Sequence, residues 1–62
     1  MRVRCIYNFD QETVLTEDKE YEAAAWSNYY GDLYQLIDDK GNKNFYFQTR
    51  FEIVNEEEQA NG

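Results

Sequence analysis

Glu20-Tyr21-Glu22-Ala23-Ala24-Ala25-Trp26 decides the fold class, because it reads in two ways. Glu, Lys and Ala are strong helix formers, and a helix over Glu17 to Trp26 would use all of them. Alternation says otherwise. Tyr21, Ala23 and Ala25 fall on one side and Glu20, Glu22, Ala24 and Trp26 on the other, the period of two that marks a half-buried strand. We read a strand, with the helix as its rival.

Outward from this stretch the same period recurs. Upstream, Met1 to Tyr7 places Val3, Cys5 and Tyr7 on one face and Arg2 and Arg4 on the other, a first strand. Asn8 to Thr13 is polar except for Phe9 and reads as a loop or an irregular hairpin, and Thr16-Glu17-Asp18-Lys19 as a turn. Downstream, Ser27 to Asp32 is a turn in which Gly31 can take positive φ. Leu33 to Ile37 is a third strand, Asp39-Lys40-Gly41-Asn42 a hairpin connection, and Asn44 to Gln48 a fourth strand rich in aromatics. Gln48-Thr49-Arg50 is too short for a crossover and fits a tight helical turn, after which Phe51 to Val54 is a fifth strand.

Five short strands within residues 1–54 predict an all-β domain, a small five-stranded antiparallel barrel or sandwich, because closure removes exposed edges. The expected core is Val3, Cys5, Tyr21, Ala23, Leu36, Phe45 or Tyr46, Phe51 and Ile53. The register of Phe45-Tyr46-Phe47 stays open, since three aromatics in a row cannot all face inward. Residues 55–62 have no apolar side chain larger than Ala60, and Glu56-Glu57-Glu58 repel one another, so this acidic tail is expected to be disordered.

Composition bounds the function. A chain of 62 residues with 42% hydrophobic and 18% aromatic residues makes one folded domain. A net charge of −7 works against a polyanionic partner. No apolar run approaches the length of a membrane helix, and a lone Cys5 cannot form an internal disulfide, which suits a reducing cytoplasm.

A chain with no His and one Cys lacks the usual acid–base groups and transition-metal ligands. Asp38 and Asp39 are adjacent, so on a strand end they point to opposite faces and do not converge as a catalytic pair. They read as a solvated turn, and Asp38 to Asn42 lacks the closing acid of a calcium loop. No enzyme, metal or cofactor is expected.

Cys5-Ile6-Tyr7-Asn8-Phe9-Asp10 resembles the Ala-Leu-Tyr-Asp-Tyr opening of SH3 domains, and Leu15 to Ala23 resembles their diverging turn and second strand. Phe45 to Ile53 is similar to their final strand, helical turn and last strand. The resemblance implies an SH3-like barrel in which Tyr7, Phe9 and Phe51 match aromatic positions of a proline-peptide groove. Leu33 stands at the groove's tryptophan position and Gln48 at its proline position, which argues against peptides of that class. The basic first strand, Leu15 to Tyr21, Ile37-Asp38-Asp39-x-Gly41 and Arg50-Phe51-Glu52 together resemble short acidic proteins encoded by phages of Gram-positive bacteria. That likeness implies a cytoplasmic inhibitor or accessory factor acting on a host protein, such as an antiviral defence enzyme.

The aromatic surplus points the same way, because a barrel this small cannot bury six Tyr, four Phe and one Trp. Trp26, Tyr29 and Tyr30 are the leading anchors, read as one patch for a partner protein or a second copy of the chain, and Tyr7 and Phe9 join the candidates through the groove positions that the resemblance implies. A rival expectation is mimicry of nucleic acid. Glu20 and Glu22 sit about 7 Å apart on one strand face, near the phosphate repeat. Direct nucleic-acid binding by Arg2, Arg4, Lys40, Lys43 and Arg50 is disfavoured by the net charge, and Arg2 and Arg4 are expected to pair with Glu20 or Glu22.

Overall fold

The computed structural model describes residues 1–54. They form five strands: β1 (Arg2–Cys5), β2 (Glu20–Asn28), β3 (Gly31–Ile37), β4 (Lys43–Phe47) and β5 (Phe51–Val54). A 3₁₀ turn, Gln48–Arg50, joins the last two. The alternation over Glu20 to Trp26 is that of a strand, and the helix is not formed. The disordered tail expected at residues 55–62 lies outside the described residues.

All pairings are antiparallel, in the order β4-β3-β2-β1-β5. β2 is the spine. Its first residues, Glu20 to Glu22, pair with β1, and from Ala23 to Asn28 it pairs with β3. The sheet therefore has two three-stranded halves that share β2. The closed ladder expected from the sequence is not present, because β4 and β5 each have one partner strand and are both edges. After the 3₁₀ turn, whose Gln48 side chain donates to the Leu33 carbonyl of β3 at 3.2 Å, the chain enters β5, which pairs with β1 and not with β4.

Side chains span the gap that the ladder leaves. The Phe51 ring meets Tyr21 at 6.3 Å, Tyr34 at 5.9 Å and Tyr46 at 6.4 Å, each edge to face. This ring cluster ties β5 to β2, β3 and β4 through aromatic contact, a geometry favoured by the ring quadrupoles. Around it Val3, Cys5, Leu15, Tyr21, Ala23, Tyr34 and Leu36 are buried, with Val14 and Tyr46 packed alongside.

Three core expectations are corrected. Leu15, from the connection between β1 and β2, is fully buried although it belongs to no strand. Tyr34 is buried as well. Ile53 pairs with Val3 and shares its face, yet is 61% exposed, because β5 is an edge and no described element covers it. The open register of β4 is resolved with Tyr46 inward and Phe45 and Phe47 outward. β1 also ends at Cys5, so Tyr7 does not share its face. The Ile6 and Tyr7 N–H groups instead donate to the Arg50 carbonyl at 2.8 and 3.2 Å.

Candidate functional site

Asp38 and Asp39 diverge, as expected, but Asp38 is not a solvated turn residue: it is 5% exposed. Its Oδ1 accepts the Lys40 and Asn42 N–H groups at 2.9 and 3.0 Å, closing the β3–β4 hairpin. Its Oδ2 accepts from the Asn44 side-chain amide at 3.1 Å and the Tyr46 hydroxyl at 3.4 Å. Asp39 turns to the other side, where Thr16 Oγ1, Lys19 Nζ and the Tyr21 hydroxyl donate to it at 2.6, 2.7 and 2.8 Å. Hydrogen bonding to the charged form lowers both pKa values: the Asn42 N–H leads at Asp38, and Lys19 holds Asp39 down to about 2. Neither carboxylate exchanges a proton near neutral pH, where a general base must work. Asp38 closes the β3–β4 turn on itself, and Asp39 ties that turn to the β1–β2 connection and the start of β2.

The aromatic residues singled out in the sequence separate into three exposed groups. Tyr29 and Tyr30 form the whole tip of the β2–β3 hairpin, between Asn28 and Gly31, and are 96% and 80% exposed. Their rings touch edge to face at 5.5 Å, and the Asn28 side chain accepts the Tyr30 N–H at 2.8 Å, fixing the tip. Gly31 completes the turn with φ +130°, a conformation that side chains resist.

Trp26 is not part of that tip. It packs edge to face on Phe45 at 5.7 Å, on the outer face of β2–β3–β4. The third group is Tyr7 and Phe9, with rings 6.3 Å apart and both half exposed. Arg50 organises this pair: its guanidinium lies 5.5 Å from the centre of the Tyr7 ring and donates to the Tyr7 and Phe9 carbonyls. Phe51, the third aromatic matched to a peptide groove, is buried in the core instead and lines no surface.

Glu20 and Glu22 share their strand face with cations. Register sets Arg4 opposite Glu20 and Arg2 opposite Glu22. Arg2 approaches Glu22 to 3.4 Å, Arg4 approaches Glu20 to 3.6 Å, and Arg4 also bonds Glu52 on β5. The terminal ammonium of Met1 meets Glu22 at 3.0 Å, which lowers the pKa of that carboxyl. Three carboxylates thus face three cations, and the cluster is locally neutral.

An open groove of about 630 Å³ runs along β4. Asn44, Tyr46, Gln11, Val14, Arg50 and Tyr30 are among the residues that line it. It exists because the ladder does not close at this strand. Composition alone could not show the groove, Arg50 against Tyr7, or the pairing of Trp26 with Phe45, since the first and last depend on the return of β4 beside β3 and the second on that of β5 beside β1.

Among the described residues no three His, Cys, Asp or Glu side chains gather as a metal site, and no helix is long and apolar enough to cross a membrane. Comparison with protein-family models, with curated proteins and with solved structures finds no match.

Proposed function

We propose that this chain is a non-enzymatic protein-binding module with an SH3-like barrel, acting as an inhibitor or accessory factor on another protein. The SH3-like assignment draws on strand order, on β2 serving two half-sheets and on the 3₁₀ turn before β5. The cytoplasmic, phage-type setting and a host target rest on the sequence resemblance.

The observation that carries the binding reading is the Tyr29–Tyr30 tip. Two tyrosines, 96% and 80% exposed, are held on a fixed two-residue turn where they add nothing to the core. Rigid, amphipathic tyrosines supply contact area at small entropic cost and are enriched among residues that dominate binding energy. Tyr30 also lines the β4 groove, where an edge strand offers backbone groups to an extended segment of a partner.

The test is affinity capture from a bacterial lysate at low and high salt, comparing wild type with the Tyr29→Ala/Tyr30→Ala double variant. A protein retained by wild type at both salts and lost by the variant, with unchanged thermal melting, is the expected result. Capture unaffected by the double substitution overturns the tip as the anchor. Capture of a nucleic-acid enzyme at low salt alone favours mimicry.

A further inference from the structure

The outer face of β2–β3–β4 is a second surface, separate from the Tyr29–Tyr30 tip, and its layout is self-complementary. Register arranges it in three rows. Trp26, Leu33 and Phe47 form one, and Ala24, Gln35 and Phe45 the next. One step past the Ala23–Leu36 pair, Glu22 falls level with Ile37 and Lys43 in the third. Trp26, Phe47, Phe45 and Ile37 are each about half exposed.

We propose that this face is covered by a second copy of the chain, related by a two-fold axis that runs along β3. Such an axis exchanges β2 with β4 while keeping each row level. Glu22 then meets Lys43 of the other copy, twice over. Trp26 meets the other copy's Phe47, and small Ala24 meets its large Phe45. Leu33, Gln35 and Ile37 meet their own counterparts on the axis.

Shape agrees with charge. A hollow of about 280 Å³ lies over Ala24, Gln35 and Ile37, flanked by Glu22 and Lys43, where the opposing Phe45 ring would seat. Lys43 makes no ion pair among the described residues, so its charge is available. An axis perpendicular to the strands would instead set Glu22 on Trp26 and Lys43 on Phe47, which disposes of that alternative.

Area and net charge are also consistent. Three half-exposed aromatics and an isoleucine present about 400 Å² of apolar surface. That is close to the apolar part of a standard interface of roughly 800 Å² per partner. Two chains of net charge −7 repel at long range, yet Glu22 and Lys43 are the only charges in the three rows, and Glu22, already held by the Met1 ammonium and Arg2 of its own copy, shares its charge with Lys43 of the other.

Sedimentation equilibrium at about 100 μM and 0.15 M salt tests this, because an interface of this size supports micromolar association. Wild type is expected as a dimer. Glu22→Lys and Lys43→Glu each make both cross-pairs repulsive and are expected to weaken dimerisation about tenfold or more. Mixing the two variants restores both attractions and is expected to restore a dimer. Leu33→Arg and Leu33→Glu form a second set on the axis that removes no ion pair: each alone is monomeric and their mixture is dimeric. A monomeric wild type overturns the proposal. So does a dimer indifferent to these substitutions, which would indicate pairing through the β4 edge or the tyrosine tip, and so does failure of both mixtures to reassociate. The capture experiment with the tyrosine variant is independent of all these outcomes.

Discussion

The Tyr21 hydroxyl donates to Asp39 at 2.8 Å while accepting the Thr16 N–H at 2.8 Å, so one phenol joins the β3–β4 turn to the loop before β2. Asp39 holds its charge in the folded chain down to about pH 2, through bonds from Lys19, Thr16 and Tyr21. Its reference pKa in an unfolded chain is about 3.9. A depressed folded pKa stabilises the fold fully above the unfolded value, and that contribution is lost as pH falls through the folded one. Stability is expected to decline between about pH 4 and pH 2. Asp39→Asn should lower the melting temperature at neutral pH by about 10 °C and flatten this acid limb. Melting curves across the pH range check both.

Leu15→Ala is expected to cost about 2–5 kcal/mol, because Leu15 has no exposed surface and the emptied space is bounded by packed strands. In so small a domain that is a large share of the total stability. Urea denaturation should find the variant largely unfolded at 37 °C. Ile53→Ala, at an exposed position on β5, should change stability by less than about 1 kcal/mol.

Removing the Arg50 side chain should loosen the Tyr7–Phe9 segment and leave the fold in place. The Arg50 carbonyl still accepts the Ile6 and Tyr7 N–H groups, and only the fork to the Tyr7 and Phe9 carbonyls is lost. Amide exchange at Asn8 to Gln11 should accelerate in Arg50→Ala. Arg50→Lys should recover little of the protection, because an ammonium cannot reproduce the planar fork and its stacking on Tyr7.

Gly31→Ala should destabilise the tyrosine hairpin by about 1–3 kcal/mol. No atom lies within 4 Å of the added methyl, so the cost arises from the backbone at φ +130°. Gly41 sits at φ +85°, closer to the left-handed region that Asn tolerates, and Gly41→Asn should lose less. Paired chemical denaturation of the two variants checks the ranking.

Local pattern carried the strands and failed where distant chain segments decide burial. The inward placement of Val3, Cys5, Tyr21 and Ala23 follows from alternation, because one face of β1 and β2 is buried. The inward turn of Tyr46 depends on Phe51 returning beneath it, and Leu15 is buried through its place in the connection, which has no period to read. Asp38 had a legible turn signature, yet its burial requires Asn44 and Tyr46 to come back beside it on β4. For the candidate site, counting aromatics identified a surplus, and the structure makes Tyr29 and Tyr30 the most exposed of the three anchors named with Trp26. Their separation from Trp26, which joins Phe45 instead, is a matter of strand register that no short stretch encodes.

Cys5 lies at the centre of the core with no exposed surface, and burial pushes its thiol pKa up. Thiol reagents act on the exposed thiolate, so the native chain should resist alkylation and each modification should mark an opening of the domain. With a single sulfhydryl in the sequence, the labelling rate is an internal clock of unfolding. It needs no engineered label, and a bound partner that holds the fold closed should slow it.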